Sequence, residues 1–295
     1  MKRENSSIRE TYNWKCRERE ITLGKKTLIM GILNVTPDSF SDGGLFFKKK
    51  EAVSRAMKMI EEGADIIDVG GESSRPGAST VSEKEELLRT IPIIKKIRKE
   101  SPDILISIDT TKASVAQKAM EEGADIINDI SATSNDTNMP KVATDYQAGL
   151  ILMHMQGSPK TMQRKPKYDD VVYDVKSYLF QKMNDLSERG LDRSTMVIDP
   201  GIGFGKNLDH NLRLLKNAYE FSSKAPVLLG VSRKKFIGLL MNEKNPNDRL
   251  FGSLGAAAYG ISKGAHILRV HDVLETCALC QLMDTLLLGD NDAVA

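Results

Sequence analysis

The run EEGADIIDVGGESSRPG, Glu61 to Gly77, decides the fold. Glu61 and Glu62 end a helix, and Gly63 reads as the left-handed residue that stops it. Ala64 to Val69 is apolar and β-branched, which predicts a buried strand whose only charges are Asp65 and Asp68. From Gly70 the chain is small, polar and charged, as a loop is. The unit recurs as EEGADII at Glu121–Ile127 and, more weakly, as KGAHIL at Lys263–Leu268. Helix, glycine, buried strand and polar loop, used repeatedly, is the βα repeat of a parallel sheet.

Working outward, β-rich runs alternate with amphipathic helices along the whole chain. Strands are predicted at Leu28–Asn34, Asp65–Gly70, Ile104–Asp109, Asp125–Asp129, Leu150–His154, Met196–Asp199, Val227–Val231 and His266–Val270. Helices are predicted near Lys49–Glu62, Ser82–Lys99 (opened by a Ser82/Glu85 capping box), Ala113–Glu122, Lys141–Tyr146, Tyr168–Arg189, Leu208–Phe221, Asp248–Lys263 and Asp272–Leu288, with a further short piece from Lys235. Eight βα units in one chain of 295 residues imply an α/β fold, a (β/α)8 TIM barrel in a single domain. A doubly wound sheet is the alternative, but it calls for a glycine-rich phosphate turn after the first strand, where this chain has NVTPDSFSDGG. The barrel domain is assigned to residues 21–290 and residues 1–20 to an N-terminal extension.

Composition narrows the function. There are 42 basic against 40 acidic residues, a net charge of +2, so nothing at whole-chain level favours nucleic acid or membrane. Aromatic residues are only 5%, which speaks against a base-stacking platform. No apolar run is long enough to span a bilayer, and Met1–Glu20 lacks the apolar core of a signal peptide. The three cysteines, Cys16, Cys277 and Cys280, are odd and sparse, which implies a reducing, cytoplasmic location. Cys277 and Cys280 have metal-ligand spacing but sit in an apolar helical stretch with no second pair, so they are read as core.

In a (β/α)8 barrel the site lies at the C-terminal ends of the strands. Those ends carry Asn34, Asp68, Asp109, Asn128, Asp129, His154, Asp199, Ser232-Arg233-Lys234-Lys235, Arg269 and His271. Any one of these reads as a turn or cap residue; the set, converging at one end of a dry barrel, needs a ligand or mutual partners. Cations gather after strands seven and eight, beside Asn34 on strand one, and carboxylates and amides lie on strands three, four and six. That division suits a ligand with an anionic tail and an N–H-rich heterocycle, whose edge a carboxylate accepts as it accepts arginine. Gly201-Ile-Gly203-Phe-Gly205-Lys206 lacks the spacing and the Ser/Thr of a nucleotide phosphate loop, and is read as a turn that lets backbone approach the ligand. No nucleophile motif is present in the sequence, so covalent catalysis is not indicated. Val35–Gly44 and Gly70–Thr80, rich in Gly, Pro and Ser, leave the same face and read as closing loops.

Eight segments in order, MGILNVTPDSFSDGG (Met30–Gly44), GGESSRPGA (Gly70–Ala78), SIDTTK (Ser107–Lys112), NDIS (Asn128–Ser131), LMHMQGSPKTMQ (Leu152–Gln163), DPGIGFGK (Asp199–Lys206), GVSRKKFIG (Gly230–Gly238) and RVHDV (Arg269–Val273), resemble the dihydropteroate synthases. The resemblance spans residues 14 to 288. It implies condensation of 6-hydroxymethyl-7,8-dihydropterin diphosphate with p-aminobenzoate to 7,8-dihydropteroate and diphosphate in folate synthesis, assisted by Mg²⁺, inhibited by sulfonamides and usually carried out by a homodimer. It places pterin on Asp109, Asn128, Met153, Asp199 and Lys234; diphosphate on Asn34, Ser74, Arg269 and His271, with Asn34 also toward the metal. It places p-aminobenzoate against Phe40, Arg75, Pro76, Phe204 and Lys235. Asp42 would shield developing positive charge, so Asp42, Asp109, Asp199, Lys234 and Arg269 form the expected catalytic set. Two positions depart from many relatives: Ser74 replaces Thr, and Lys235 replaces a Ser near the p-aminobenzoate carboxylate. The alternatives are a pterin-binding methyltransferase, which would not need the Ser232–Lys234 segment with Arg269 and His271, and an inactive pterin-binding paralogue.

Overall fold

The computed structural model describes residues 9–35, 45–74, 77–78 and 80–288. An antiparallel hairpin, β1 (Tyr12–Cys16) and β2 (Arg19–Leu23), precedes eight parallel strands: β3 (Leu28–Asn34), β4 (Ile66–Gly70), β5 (Leu105–Asp109), β6 (Ile126–Asp129), β7 (Gly149–Met153), β8 (Met196–Asp199), β9 (Leu228–Leu229) and β10 (Ile267–Val270). The ladder runs β8-β7-β6-β5-β4-β3-β10-β9. A parallel bridge between Ile198 and Val227 closes it into a barrel. Around the outside lie α1 (Leu45–Glu61), α2 (Glu83–Glu100), α3 (Ala113–Glu121), α4 (Met139–Asp145), α5 (Val171–Glu188), α6 (Leu208–Lys216), α7 (Tyr219–Ser222), α8 (Lys235–Met241), α9 (Leu250–Ser262) and α10 (Val273–Leu288).

The repeated glycine performs the same task in each unit. Gly63, Gly123 and Gly264 have φ of +100°, +105° and +91°. Each donates its N–H three residues back (Ile60, Met120, Ile261), and the following alanine donates five back (Met59, Ala119, Gly260). This double bond satisfies the last helical carbonyls and turns the chain into the next strand. The residue after that alanine is also equivalent. Asp65 accepts the N–H of Ile29 and Asp125 that of Ile106, both from the neighbouring strand. His266 does the same for Val227 through Nδ1. Asp65 therefore belongs to the scaffold.

Two apolar layers follow from strand alternation. One set packs strands against helices. The other fills the barrel: Leu28, Met30, Ile66, Leu105, Ile126, Ile151, Val197, Leu228 and Ile267. The hairpin closes this inner core from below with Trp14, Cys16 and Leu23. Trp14 is fully buried and its Nε1 donates to the Thr195 carbonyl at 2.8 Å. Gly149 makes room for it, since a Cβ there would lie 3.1 Å from the Trp14 ring. The boundary expected at residue 20 falls within β2, because the apolar residues of the hairpin complete the barrel's own core.

Other departures are local. The seventh strand, expected at Val227–Val231, is Leu228–Leu229, for the chain turns at once into the loop bearing Ser232. The helix expected over Leu208–Phe221 breaks at Asn217, whose side chain and N–H both cap Arg213. Cys277 and Cys280 are free thiols, as is Cys16.

Candidate active site at the barrel mouth

Two residues beyond the apolar layer the same alternation turns polar. From Ile66, Leu105, Ile126, Val197 and Ile267, a step of two reaches Asp68, Ser107, Asn128, Asp199 and Arg269. Ser107 pairs in register with Asp68, and two residues past Ser107 stands Asp109. The centre of this layer is Arg269. Its Nε donates to Asp68 Oδ2 at 2.6 Å and its Nη2 to Asp109 Oδ2 at 2.7 Å. Asn128 Nδ2 donates to the same Asp68 oxygen at 3.2 Å. Asp68 is fully buried, and neither the motifs nor the resemblance assigns it a role; its position two residues past Ile66 is the signal that it points inward.

The other side chains converge on two glycines. A Cβ on Gly70 would lie 3.6 Å from Asp109 Oδ2 and 3.7 Å from Asn34 Oδ1. A Cβ on Gly230 would lie 3.9 Å from Arg269 Cβ and 4.0 Å from Asp199 Oδ2. Both glycines thus keep the mouth open between paired polar groups. Asp199 Oδ1 accepts the Gly201 N–H at 2.7 Å. Lys234 enters from the far side, its Nζ 4.1 Å from the centre of the Phe204 ring. Phe204, Met153 and Met162 form a small apolar wall. His271 is fixed at its edge by Ser232 Oγ, 3.0 Å from Nδ1, while its carbonyl accepts from Arg55 at 3.0 Å.

Burial sets the charges. It pushes the Asp109 carboxyl up to about 7; Arg269 opposes this, and the neighbouring Asp68 adds to it. Asp199 is also raised, by burial first. Lys234 is pulled down to about 8 by burial, with Asp199 opposing. Arg269 is held above its ordinary value: burial lowers it, but Asp68 and Asp109 outweigh that.

Some expected groupings dissolve. Arg233, at φ +57°, turns away and is held by both oxygens of Asp272, at 2.5 and 3.1 Å. Lys235 is solvent-exposed at the start of α8. Asp129 closes its own loop by accepting from Ser131 and Thr133. Two glycines of the 201–206 loop approach protein backbone, since side chains at Gly201 and Gly205 would overlap the carbonyl oxygens of His154 and Gln156, while one at Gly203 would lie 3.2 Å from the Lys234 side chain. Lys206 locks that loop. It is buried, and its Nζ donates to the carbonyls of His154 and Phe204 and meets His154 Nδ1 at 3.0 Å. Burial pulls Lys206 down to about 7 and His154 to about 3, so His154 is a neutral acceptor. Ser74 is half-buried on the loop after β4, while Phe40, Asp42, Arg75 and Pro76 lie outside the described residues.

Among the described residues no cluster of three or more His, Cys, Asp or Glu could hold a metal by itself. The donor set does fit Mg²⁺ brought with a diphosphate. Asn34 offers one hard oxygen, and Mg²⁺ in such sites takes most of its shell from phosphate and water.

Fold and mouth together define a barrel whose polar layer suits an N–H-rich heterocycle beside an anion. The profile of the pterin-binding enzymes matches residues 30–271. A dihydropteroate synthase of Escherichia coli K12 is 47% identical over 260 residues, covering 88% of this chain and 91% of its own. One from Synechocystis is 44% identical over 264 residues, covering 89% and 91%. The Xanthomonas albilineans dihydropteroate synthase with 4-aminobenzoic acid superposes with a TM-score of 0.87 at 38% identity, over 94% of this chain and 98% of that one. The Yersinia pestis enzyme in a sulfonamide drug complex gives 0.86 at 39%, over 93% and 98%. The Burkholderia cenocepacia enzyme complexed with 7,8-dihydropteroate gives 0.84 at 37%, over 93% and 96%. The chain belongs to the pterin-binding enzyme family, in its dihydropteroate synthase branch, and is a transferase.

Proposed function

We propose that the chain condenses 6-hydroxymethyl-7,8-dihydropterin diphosphate with p-aminobenzoate, giving 7,8-dihydropteroate and diphosphate in folate synthesis. The observation that carries this is Arg269 held between Asp68 and Asp109, with Asn128, Asp199 and Lys234 around it. Asp109 and Asp199 accept the N–H groups of the pterin, Asn128 pairs with its ring edge, and Met153 lines its pocket beside Lys234. Arg269, His271, Asn34 and Ser74 face the diphosphate. The exocyclic C–O bond breaks as diphosphate leaves, and these donors stabilise the charge that develops on its oxygens. The pterin cation is balanced by Asp109 and Asp199. The arylamine nitrogen of p-aminobenzoate then forms the C–N bond and releases one proton. When bound, Mg²⁺ supplies charge neutralisation on the leaving diphosphate, with Asn34 as its protein ligand. Phe204 and Lys235 belong to the p-aminobenzoate side; the further contacts that the resemblance implies, Phe40, Asp42, Arg75 and Pro76, lie outside the described residues. Sulfonamides compete at that position.

The assay is diphosphate release by purified protein with the pterin diphosphate and Mg²⁺, with and without p-aminobenzoate. Release coupled to dihydropteroate, and lost in Asp109→Ala or Lys234→Ala, supports the reading. Pterin binding without turnover favours an inactive pterin-binding protein, and absence of pterin binding refutes both.

The assembly we propose is a homodimer. The exposed stripe Phe251, Gly255, Tyr259 on α9 lies beside Leu274, Ala278, Leu282, Leu286 on α10, a continuous apolar face. A second copy seated on this face would take its exposed apolar side chains out of water. Phe251→Glu with Leu286→Glu is expected to give monomers by light scattering; an unchanged dimer assigns the interface elsewhere. Three free thiols in the chain support a reducing, cytoplasmic setting. Among the described residues no helix is long and apolar enough to cross a membrane.

A further inference from the structure

Asp68 has no part in the chemistry above, yet it is fully buried in the polar layer of the mouth. Charge balance does not require it. Arg269 already has Asp109 at 2.7 Å, and a second buried carboxylate adds a desolvation cost. Both hydrogen bonds of Asp68 fall on one oxygen: Oδ2 accepts from Arg269 Nε at 2.6 Å and from Asn128 Nδ2 at 3.2 Å. The other oxygen, Oδ1, has no hydrogen-bond partner among the described residues, and neither has Ser107 Oγ, in register with Asp68 on the next strand.

The three bonded residues stand on different strands, Asp68 on β4, Asn128 on β6 and Arg269 on β10. Strand β5 runs between β4 and β6, and its inward residue at this level, Ser107, is small enough for the Asn128 amide to reach across. A carboxylate oxygen that accepts from a guanidinium offers Asn128 a further acceptor and no donor. Asn128 must therefore turn its NH2 to Asp68, and the two ends of its amide are not interchangeable. Its Oδ1 and its second N–H then hold fixed places, an acceptor beside a donor in one order. At 4% exposed, Asn128 has little water to offset a wrong partner.

We propose that Asp68 is a positioning residue that sets ring specificity: by taking one Asn128 N–H it holds the amide with Oδ1 toward the pterin's 2-amino group and the second N–H toward the adjoining ring nitrogen. The inference rests on the reading above that Asn128 meets the pterin's ring edge. A 2-oxo analogue carries a carbonyl and a ring N–H at those places, so it meets Oδ1 with another acceptor and is refused. Only a turned amide would accommodate it. Asp68 forbids the turn, because its Oδ2 would then face Asn128 Oδ1. The same oxygen anchors Arg269 Nε, so the amide and the guanidinium share one support.

The test is calorimetric binding, without p-aminobenzoate, of 6-hydroxymethyl-7,8-dihydropterin diphosphate and its 2-oxo analogue. The wild type is expected to prefer the amino compound by at least about 10-fold. In Asp68→Ala, where water can donate or accept and the amide is free to turn, that preference is expected to fall about 10-fold, the factor of one hydrogen bond. Asp68→Leu, which fills the space instead of emptying it, gives the same reading where the alanine variant does not fold. Asp68→Asn is expected to keep the preference within about 3-fold, since its oxygen still serves Arg269 and Asn128 and its NH2 takes the place of Oδ1, which has no partner to lose. Asn128→Leu lowers the preference as well, and adding Asp68→Ala to it changes nothing further, because Asp68 acts through that amide. A wild type that binds both compounds equally, a preference unmoved in Asp68→Ala, one lost in Asp68→Asn, or additive losses in the double variant overturns the inference alone. A wild type that does not bind the pterin diphosphate overturns the functional reading and this inference with it.

Discussion

Replacing Arg269 by Met would leave two carboxylates inside the barrel without their common cation. Asp68 is 0% and Asp109 8% exposed, so water cannot replace the guanidinium. The bonds lost are short, 2.6 and 2.7 Å, and Asp68 Oδ1 has no hydrogen-bond partner to fall back on among the described residues. Removing one partner of a buried pair costs about 3–5 kcal/mol. For a chain of this size that corresponds to a fall in Tm of roughly 10 °C. The cost depends on pH in a definite direction. Asp109 stands at about 7 even with Arg269 present, and without it Asp109 rises further. A carboxyl raised in the folded state binds more protons there than in the unfolded chain, so stability falls as pH rises through the folded value. The deficit of Arg269→Met is therefore larger at pH 8 than at pH 5, values on either side of about 7. Urea denaturation of the wild type, Arg269→Met, Asp68→Asn and the double variant measures it, and the double variant is expected to recover at least about 1 kcal/mol over Arg269→Met. A variant within about 1 kcal/mol of wild type at the higher pH, or a deficit that ignores pH, refutes the reasoning.

Pterin affinity in the free enzyme should rise with pH through about 7 as Asp109 ionises, then fall above about 8 as Lys234 loses its proton; a flat binding profile by calorimetry contradicts those assignments. Trp14→Ala empties the floor of the barrel and should cost about 3–5 kcal/mol in denaturant titrations. A cost under about 1 kcal/mol would mean the hairpin is dispensable to the core. Gly201→Ala forces a side chain at φ +69° against the His154 carbonyl. It should cost about 1–3 kcal/mol and weaken pterin binding by displacing the N–H that holds Asp199; unchanged binding would separate the loop from the carboxylate.

The repeat was legible because each βα unit carries its own local instructions. Glycine at 63, 123 and 264 admits a positive φ, and a period of two fixes which strand residues face inward. From these the eight strands, their order and the polar residues at their ends could be read within a residue or two. The strand-end residues Asp109, Asn128, Asp199 and Arg269 came from the same rule.

What the sequence could not decide is where groups distant along the chain meet. Asp68 and Arg269 are bonded across 201 residues, and only barrel closure brings β4 and β10 to either side of β3. Arg233 and Lys234 are adjacent in sequence, yet one turns to Asp272 and the other to the Phe204 ring, because a positive φ at Arg233 splits them. Lys206, read as part of a turn, became a lock only when the backbone of His154 arrived beside it. Residues 12–23 hold too short a pattern to announce a hairpin whose partner is the floor of the barrel. Local periodicity thus determined the elements and their faces; burial, partner geometry and the resulting charge states were set by packing, since each depends on what another part of the chain places within a few ångströms.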